Sequence, residues 1–362
     1  MLRDYLEELE RFLKTDFEEF SVVVMPDFFL DRFVSLKCNV KTFSKEVECV
    51  VNRKGGSLDG IAQTDFRGGN AINTASALAS LGVETIPIVC TNKLGKELIK
   101  FYFKSKEIDL SHIKIFKKSS ITTAMEFKTE NGKTNVMLRD VGDLANFGPQ
   151  NLGNEDFEAI EEADYVCVFN WAGTKNFGTK LAEKVFNHTK TRGKGKTYYD
   201  TADPTPNEEK TTELTKLLQS TNVDMLSVNE NEAICYASRI SNKIEKIRNL
   251  KLEEQAEKAA RILASNIQAR VDLHTTSFSA TFTKKTETII PAFKVPVLRA
   301  TGAGDAWNAG NILADAHNLS DKCRLALANM VAAYYVSNSE GKHPARKELI
   351  EFCNKLKRKS PS

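Results

Sequence analysis

The chain has 362 residues, of which 41% are hydrophobic and 27% are charged, the usual balance of a soluble globular protein. This length allows one large α/β domain or two modest ones. The 51 basic and 48 acidic residues leave a formal net charge of +3, too small an excess to indicate nucleic acid or an anionic membrane as a partner. No apolar run reaches the ~18 residues of a transmembrane helix, and the charged residues 1–19 do not resemble a cleaved signal.

The first predicted element is an amphipathic helix within residues 1–20, where large apolar residues recur at helical spacing. We expect it to be an N-terminal extension that packs beside a domain formed by residues 21–362. The valine-rich residues 21–25 predict the first buried strand of that domain.

Two alternating patterns interrupt the chain and predict a small antiparallel lid, with segments near 33–51 and 115–140. In the second segment, Asn131 and Gly132 are typical of a tight hairpin turn.

The rest of the chain alternates between strand and helix patterns, which favours a mostly parallel sheet covered by helices on both faces. Ligands bind such sheets beyond the carboxyl ends of the strands. The predicted elements are a helix from residue 70, a strand at 85–90, a helix at 96–104, and strands at 165–169, 196–200 and 224–228.

The seven cysteines include no Cys-x-x-Cys pair, and the five histidines include no pair at i and i+4. These spacings argue against a disulfide framework and against a zinc site. We therefore expect a reducing, cytoplasmic location.

The most informative motif lies at residues 301–310, where Gly302, Ala303 and Gly304 precede Asp305 at the start of an apolar helix. The glycines allow a tight turn, and the helix start offers unpaired N–H groups to an anion such as a phosphate. Asp305 would lie close to that anion, where a carboxylate accepts the proton of an attacking hydroxyl. An ordinary helix cap after a glycine-containing loop is the alternative.

A second motif, residues 67–75, contains two glycines and Asn73 and leads into a small-residue helix that ends in Leu81 and Gly82. In this order and at about this distance, the two motifs resemble the two signatures of the ribokinase or PfkB family of carbohydrate and nucleoside kinases. The resemblance spans roughly residues 22–352.

The resemblance implies an α/β fold, a ribokinase-like three-layer sandwich with a mostly parallel central sheet and a small β-sheet lid. It also implies transfer of the γ-phosphoryl group of ATP, with Mg2+, to a primary hydroxyl of a sugar or nucleoside. Asp305 would be the general base, and the amides around Gly302, Ala303 and Gly304 would stabilise the transferred group.

The substrate-binding residues that we predict follow the first strand, the second motif and a later strand. They are Asp27, Asp31, Gly68, Gly69, Asn73 and Asn170. Asp31 occupies the position at which the family holds a pair of hydroxyls, and a carboxylate accepts hydrogen bonds from two hydroxyls at once. Turn or cap roles are the alternatives for Asp27 and Asp31, and Trp171 either closes the site or is buried.

For the nucleotide, Asn229 and Glu232 match the family's Asn-x-x-Glu element, which would organise magnesium-bound water and phosphate oxygens. Glu232 would thus contact the metal indirectly, through water; a simple helix start capped by Asn229 is the alternative. Further predicted nucleotide-binding residues are Thr275, Thr276 and Asn329, and residues 341–344 are expected at the adenine.

Two departures from the family pattern qualify these expectations. Arg299 stands where the family commonly has an acidic residue in contact with a monovalent cation, which argues against dependence on potassium. Thr276 and Ser279 replace glycines of the donor loop, so the donor could differ from ATP.

Other functions stay open beside the sugar or nucleoside kinase. One is a kinase for a non-sugar alcohol such as an inositol or a vitamin precursor, and another is a non-catalytic ligand-binding regulator on the same fold. A nucleotide-dependent oxidoreductase is disfavoured, because no Gly-x-Gly-x-x-Gly follows the first strand. Pairing of two lids in a homodimer would cover the exposed strand edges.

Overall fold

An eight-stranded sheet lies at the centre of the fold, between two layers of helices. The computed structural model describes residues 2–103, 108–130 and 132–359. The strands are β1 (Ser21–Met25), β2 (Phe29–Ser35), β3 (Ala62–Gly68), β4 (Glu84–Pro87), β5 (Cys90–Thr91), β6 (Lys114–Ile115), β7 (Ser120–Thr129), β8 (Gly132–Asp140), β9 (Tyr165–Phe169), β10 (Lys196–Asp200), β11 (Met225–Val228), β12 (Arg270–His274), β13 (Phe278–Phe282) and β14 (Glu287–Pro291). The α-helices are α1 (Leu2–Lys14), α2 (Val40–Asn52), α3 (Asn70–Ser80), α4 (Lys93–Tyr102), α5 (Asn154–Glu162), α6 (Gly178–Arg192), α7 (Thr211–Leu218), α8 (Glu230–Ile240), α9 (Leu252–Asn266), α10 (Ala303–Ala316), α11 (Asp321–Val336) and α12 (Arg346–Lys359).

The central sheet is mostly parallel, as predicted. Strands β4, β1, β9, β10, β11 and β12 are parallel neighbours in that order, and β13 and β14 continue the sheet antiparallel at one edge. Successive side chains of β1 point to opposite faces. Val22 and Val24 therefore join the core beneath α3, α10, α11 and α12, whereas Val23 joins the core beneath α5 to α9.

A second, four-stranded sheet, here called the lid, has the order β3-β2-β7-β8. Strand β2 pairs antiparallel with β3 and parallel with β7. Strand β7 pairs antiparallel with β8, with Thr129 opposite Gly132, so the predicted hairpin is confirmed. Its predicted turn residue Asn131 lies outside the described residues, as does the predicted end of α4 at residue 104.

The prediction of antiparallel strands through residue 51 was wrong, because residues 40–52 form helix α2. Asn39 caps this helix through a hydrogen bond from the backbone N–H of Thr42, at 2.9 Å. On α2, Phe43 packs edge-on against Phe127 of β7. The apolar residues of this short segment fit helical spacing as well as alternation, and the cap and this packing decide between them.

Helix α1 packs on the main body of the fold. Its Leu6, Leu9 and Leu13 are fully buried in the same core as α10, α11 and α12. The thiol of Cys353 on α12 donates to the carbonyl oxygen of Leu6 at 3.2 Å. The N-terminal helix is therefore part of the hydrophobic core.

Polar residues and helix starts converge at one edge of the central sheet. Asp27 follows β1, Asp200 ends β10 and Asn229 follows β11, while helices α3, α8 and α10 begin beside them. The carboxyl ends of parallel strands share one edge, which is where ligands bind in such sheets. Along the described part of the chain, no helix combines the length and apolarity needed to cross a membrane.

Candidate active site

The turn that opens α10 requires glycine. Gly302 caps the helix in the left-handed conformation, with φ of 90°, and a Cβ there would come within 2.5 Å of the Tyr335 hydroxyl. The N–H of Ala303 donates to a carbonyl oxygen three residues before it. The N–H groups of Gly304 and Asp305 lie in the first helical turn and have no intrahelical acceptor, so they are the donors that this turn offers to an anion.

Asp305 is buried at the centre of the polar cluster, with 5% of its surface exposed. Its two carboxylate oxygens accept hydrogen bonds from the amides of Asn70 and Asn73, each at 2.9 Å. Burial raises the pKa of Asp305 well above its usual value, and the negative charges of Asp200 and Asp27 reinforce this shift. The carboxyl group therefore favours holding a proton, as a general base does after it has accepted one.

Asp27 caps helix α3. Its carboxylate accepts from the backbone N–H groups of Asn70 and Ala71, both at 2.9 Å, and from the side-chain amide of Asn170 at 2.7 Å. Asn170 is buried and holds a positive φ of 48°. Both predicted substrate residues thus direct their polar groups into the protein, and the neighbouring Trp171 is buried with its N–H paired to Thr179.

Asp31 lies on lid strand β2, directly opposite Phe66 on one side and Thr122 on the other. Its carboxylate rests over Gly68, where any Cβ would overlap it. Gly69 adopts a φ of 96°, and a Cβ there would meet the chain after β1 at 2.9 Å. Burial raises the pKa of Asp31, while a hydrogen bond from the Thr122 hydroxyl opposes the shift. The half-buried carboxylate faces the body of the fold from the lid.

A mostly apolar cavity of about 560 Å³ lies against the glycine turn, where Ala303 and Gly304 line it. Its wall includes Gly304, Thr275 and Thr276, as well as Asn329. His274 also lines it, and the buried Nε2 of this ring has no hydrogen-bond partner among the described residues. Burial lowers the pKa of His274, so the ring favours the neutral form. This volume is within the usual range of a small-molecule site.

Asn329, on the cavity wall, belongs to a hydrogen-bond network with the buried Ser279. The amide oxygen of Asn329 accepts from the Ser279 hydroxyl at 2.5 Å and from the Trp307 indole at 3.0 Å. The Ser279 side chain is buried in this network and does not line the cavity. Thr276 is exposed on the cavity wall.

Asn229 and Glu232 form the reciprocal N-cap of helix α8. The Asn229 side chain accepts from the Glu232 N–H at 3.1 Å, and both Glu232 carboxylate oxygens accept from Asn229, at 2.8 and 3.0 Å. Glu232 is 2% exposed, and burial together with the charge of Asp200 raises its pKa well above the usual value. The cap therefore positions the buried carboxyl group of Glu232 near Asp200.

The sequence analysis missed two residues of the polar cluster around Asp305, namely Asn70 and Asp200. Asn70 lies three positions before Asn73 in the second motif and binds the other oxygen of Asp305. Asp200 accepts from the side chain of Asn308 at 2.7 Å, and its charge acts on both Asp305 and Glu232. Its position at the end of a predicted strand was the available signal.

A second cavity of about 530 Å³ lies on the Asn73 side of Asp305. Arg67, Arg299, Gly341 and His343 line it. Residues 341–344 were expected at the adenine, but Gly341 and His343 lie here, apart from the cavity that Thr275 and Thr276 line.

Asp305 lies between the two cavities: the adjacent Gly304 lines the first, and Asn73, whose amide donates to Asp305, lines the second. A reactive group between two binding cavities is typical of enzymes that transfer a group between two bound molecules. Over residues 42–348, the sequence matches the family described as pfkB family carbohydrate kinase. The chain belongs to this family, and it is therefore a phosphotransferase of the carbohydrate kinase class. None of the curated protein sequences matches it.

Solved structures of kinases share the fold. The nucleoside kinase of Methanocaldococcus jannaschii is 17% identical, with a TM-score of 0.65 over 94% of this chain and 100% of that chain. The ribokinase of Arabidopsis thaliana, complexed with ribose and ATP, is 17% identical, with a TM-score of 0.66 over 93% of this chain and 99% of that chain. The ribokinase of Cryptococcus neoformans, in complex with ADP, is 16% identical, with a TM-score of 0.66 over 95% of this chain and 100% of that chain.

Proposed function

We propose that the protein transfers the γ-phosphoryl group of ATP to a primary hydroxyl of a sugar or nucleoside. The observation that carries this proposal is the position of Asp305, a buried carboxylate at the glycine turn, between Gly304 on the wall of one cavity and Asn73 on the wall of the other. A carboxyl group with a raised pKa is suited to take the proton of an attacking hydroxyl. The N–H groups of the same turn are suited to stabilise charge on the transferred group.

The acceptor would lie between the lid and helix α3. Asp31 would accept hydrogen bonds from a pair of hydroxyls, and Gly68 and Gly69 allow close contact with the backbone. Asn73 would orient the reacting hydroxyl while its amide holds Asp305. We assign Asp27 and Asn170 a supporting role instead, since their hydrogen bonds fix the start of α3.

ATP would occupy the apolar cavity, with its base and ribose against the wall that contains Thr275 and Thr276 and its phosphates directed to Gly304. Among the described residues, no three potential ligands come close enough to form a metal cluster. Mg2+ usually keeps several waters and binds through phosphates and one or two carboxylates. Asp200 and Glu232 fit that pattern, acting through water, and Mg2+ would neutralise charge on the phosphates.

The test is a screen for ADP release by the purified protein with ATP and Mg2+. The panel contains nucleosides, pentoses, hexoses and inositols, each run with EDTA as the metal-free control. We expect release that requires one acceptor class, requires Mg2+ and yields a phosphorylated acceptor. Release with an inositol alone would establish a kinase for a non-sugar alcohol. No release across the panel, with ligand binding still measurable by calorimetry, would favour a non-catalytic regulator.

Asp31→Asn should raise the KM for the acceptor about 10- to 100-fold, because hydrogen bonds to a charged group are worth about 1.5 to 3 kcal/mol. The KM for ATP should change little, since Asp31 lies on the lid and not on the wall of the donor cavity. Steady-state kinetics with each substrate varied in turn measures both constants. Asp65→Asn, on the neighbouring strand β3, is the matched control. Equal acceptor KM values for wild type and Asp31→Asn would exclude Asp31 from binding.

We also propose that two copies pair through their lids. Strand β8 is an edge strand, exposed along its length, with Val136, Met137 and Leu138 45%, 46% and 57% exposed. The unpaired backbone N–H and C=O groups of such an edge can form hydrogen bonds with a strand of another molecule. Light scattering should give a dimer for the wild type and a monomer for Leu138→Lys. A monomeric wild type at micromolar concentration would contradict the proposal.

A cytoplasmic location remains our proposal. All seven cysteines are free thiols in the structure. Free thiols in this number are typical of a reducing compartment.

A further inference from the structure

The second cavity has two guanidinium groups on its wall, those of Arg67 and Arg299. The guanidinium group of Arg299 lies over the ring of Phe66, with its central carbon 4.2 Å from the ring centroid. Its flat face also packs against the backbone of Gly341, where a Cβ would come within 3.1 Å. These contacts fix the guanidinium in one orientation at the cavity wall.

Arg67 is half-buried in the same wall. One of its terminal nitrogens contacts Nδ1 of His343 at 2.7 Å and the carbonyl oxygen of Gly341 at 3.5 Å. Its Nε is buried and has no hydrogen-bond partner among the described residues. Burial lowers the pKa of Arg67, and the charge of Arg299 lowers it further. The two guanidinium groups are therefore near enough to repel each other.

Within the described ranges, no carboxylate forms a direct ion pair with either arginine, and the charges of Asp305 on Arg67 and of Asp31 on Arg299 act from a longer distance. Neither Arg67 nor Arg299 forms an ion pair there, although the chain contains many others. Glu348 lines the cavity but pairs with Lys342 at 2.6 Å, and Glu340 is exposed at its rim. Two partly buried cations without a carboxylate in direct contact leave guanidinium donors free to bind an anion, which would also reduce their mutual repulsion.

We propose that this cavity binds a phosphate group, held by the guanidinium groups of Arg67 and Arg299. Arginine is suited to this task because its planar donors match phosphate oxygens in pairs. The volume of about 530 Å³ accommodates a small phosphate monoester. The phosphate belongs either to the acceptor itself or to a separate small molecule.

The site is connected to the proposed active centre by two contacts. Asn73 lines the cavity, and its amide donates to the Asp305 carboxylate at 2.9 Å. Arg299 donates from Nε to the carbonyl oxygen of Thr301 at 3.4 Å, directly before the glycine turn. A phosphate bound here therefore acts on the residues that hold the proposed base and the anion-binding turn.

Isothermal titration calorimetry with inorganic phosphate tests the site without any need for turnover. We expect saturable binding to the wild type, with the dissociation constant raised about tenfold or more in Arg67→Gln and in Arg299→Gln. Arg32→Gln removes the same charge from the exposed face of the lid and should bind like the wild type. Circular dichroism spectra would show that each variant is folded.

If phosphate bound only at the glycine turn, its affinity would not change in Arg67→Gln, because the substitution leaves that turn intact. Undiminished binding to Arg67→Gln, or no saturable binding to the wild type up to about 10 mM, would overturn the proposal. Turnover kinetics, which rests on the proposed kinase activity, then identifies the source. Competition between phosphate and the acceptor indicates a phosphate carried by the acceptor, whereas an effect at saturating acceptor indicates a separate effector. Failure of the kinase screen would leave the calorimetric result intact.

Discussion

Asp305→Asn lowers kcat by about 100- to 10,000-fold, the usual contribution of a positioned general base. The substitution keeps the size of the side chain but removes its charge, its ability to accept a proton and one of the two oxygens that accept from Asn70 and Asn73. Asp27→Asn is the matched contrast, because Asp27 is an equally buried aspartate whose hydrogen bonds cap α3. We expect Asp27→Asn to lower the melting temperature more than Asp305→Asn does, and Asp305→Asn to lower kcat more. Near-normal turnover in Asp305→Asn would remove Asp305 as the base.

The pH profile gives an independent test of the same residue. Asp305 must be ionised to accept a proton, so kcat/KM should rise as pH increases through its pKa. Because burial raises that pKa well above the usual value of a carboxyl group, the rise should occur at a higher pH than for an exposed aspartate. The rise should be absent from the residual activity of Asp305→Asn. An identical acidic limb in that variant would assign the titration to another group.

Asp272→Asn lowers the free energy of unfolding by about 3 to 5 kcal/mol, because it removes the buried carboxylate that pairs with both Arg270 and Arg324 and leaves them only Asp315 and Asp321 as counter-ions. Asp272 is fully buried and accepts from Arg270 at 3.0 Å, from Asn311 at 2.9 Å and from Thr281 at 2.6 Å. Arg324, only 1% exposed, lies 3.2 Å from the same carboxylate. Urea unfolding followed by circular dichroism measures the loss.

The pH dependence of the free energy of unfolding tests the same network of Asp272, Arg270 and Arg324. Burial alone would raise the pKa of Asp272, but the charges of Arg270 and Arg324 outweigh it and hold that pKa well below its usual range. The neighbouring Asp315 has its pKa lowered to about 2, again by Arg270 against the effect of burial. A lowered folded-state pKa contributes stability above the unfolded value near 3.8, and this stability is lost as pH falls through the folded value.

The wild type should therefore lose stability below about pH 4, and Asp272→Asn should lose less of it over that range. Asp65→Asn is the control, since it breaks an exposed ion pair with Arg32 and should change stability far less. A change in Asp272→Asn no larger than in Asp65→Asn would show that the buried network contributes little. The double variant Asp272→Asn with Arg324→Met should be less destabilised than the sum of the two single variants.

The sequence alone predicted the elements that have strong periodicity or a strong local signal. The strands at residues 165–169 and 196–200 have the predicted bounds, and helix α3 begins at Asn70. The two strands are buried apart from Lys196, and α3 begins directly after Gly69, so local pattern and tertiary environment agree. Residues 40–52 differ because their short apolar pattern fits two periods, and packing on the lid selects the helix.

Within the candidate site, the sequence identified the types of residue but not what each side chain contacts. Asp27 and Asn170 were predicted to bind substrate, yet their polar groups pair with each other and with α3. Asn329 was predicted to bind the nucleotide, yet its amide is engaged by Ser279 and Trp307. A polar residue at the end of a predicted strand is expected to lie near the site. The hydrogen-bond partners of that residue, however, come from segments that are distant in the sequence.

The sequence by itself determined the family, the glycine turn before Asp305 and the alternation of strands and helices, because each depends on short motifs or periodicities and on their order along the chain. The tertiary structure alone decided that Asn70 holds Asp305 and that Arg67 and Arg299 share one cavity. These groups are separated by more than 200 positions. Only the packing of α3 and the lid sheet against the start of α10 brings them together, and no local pattern encodes the distance between them.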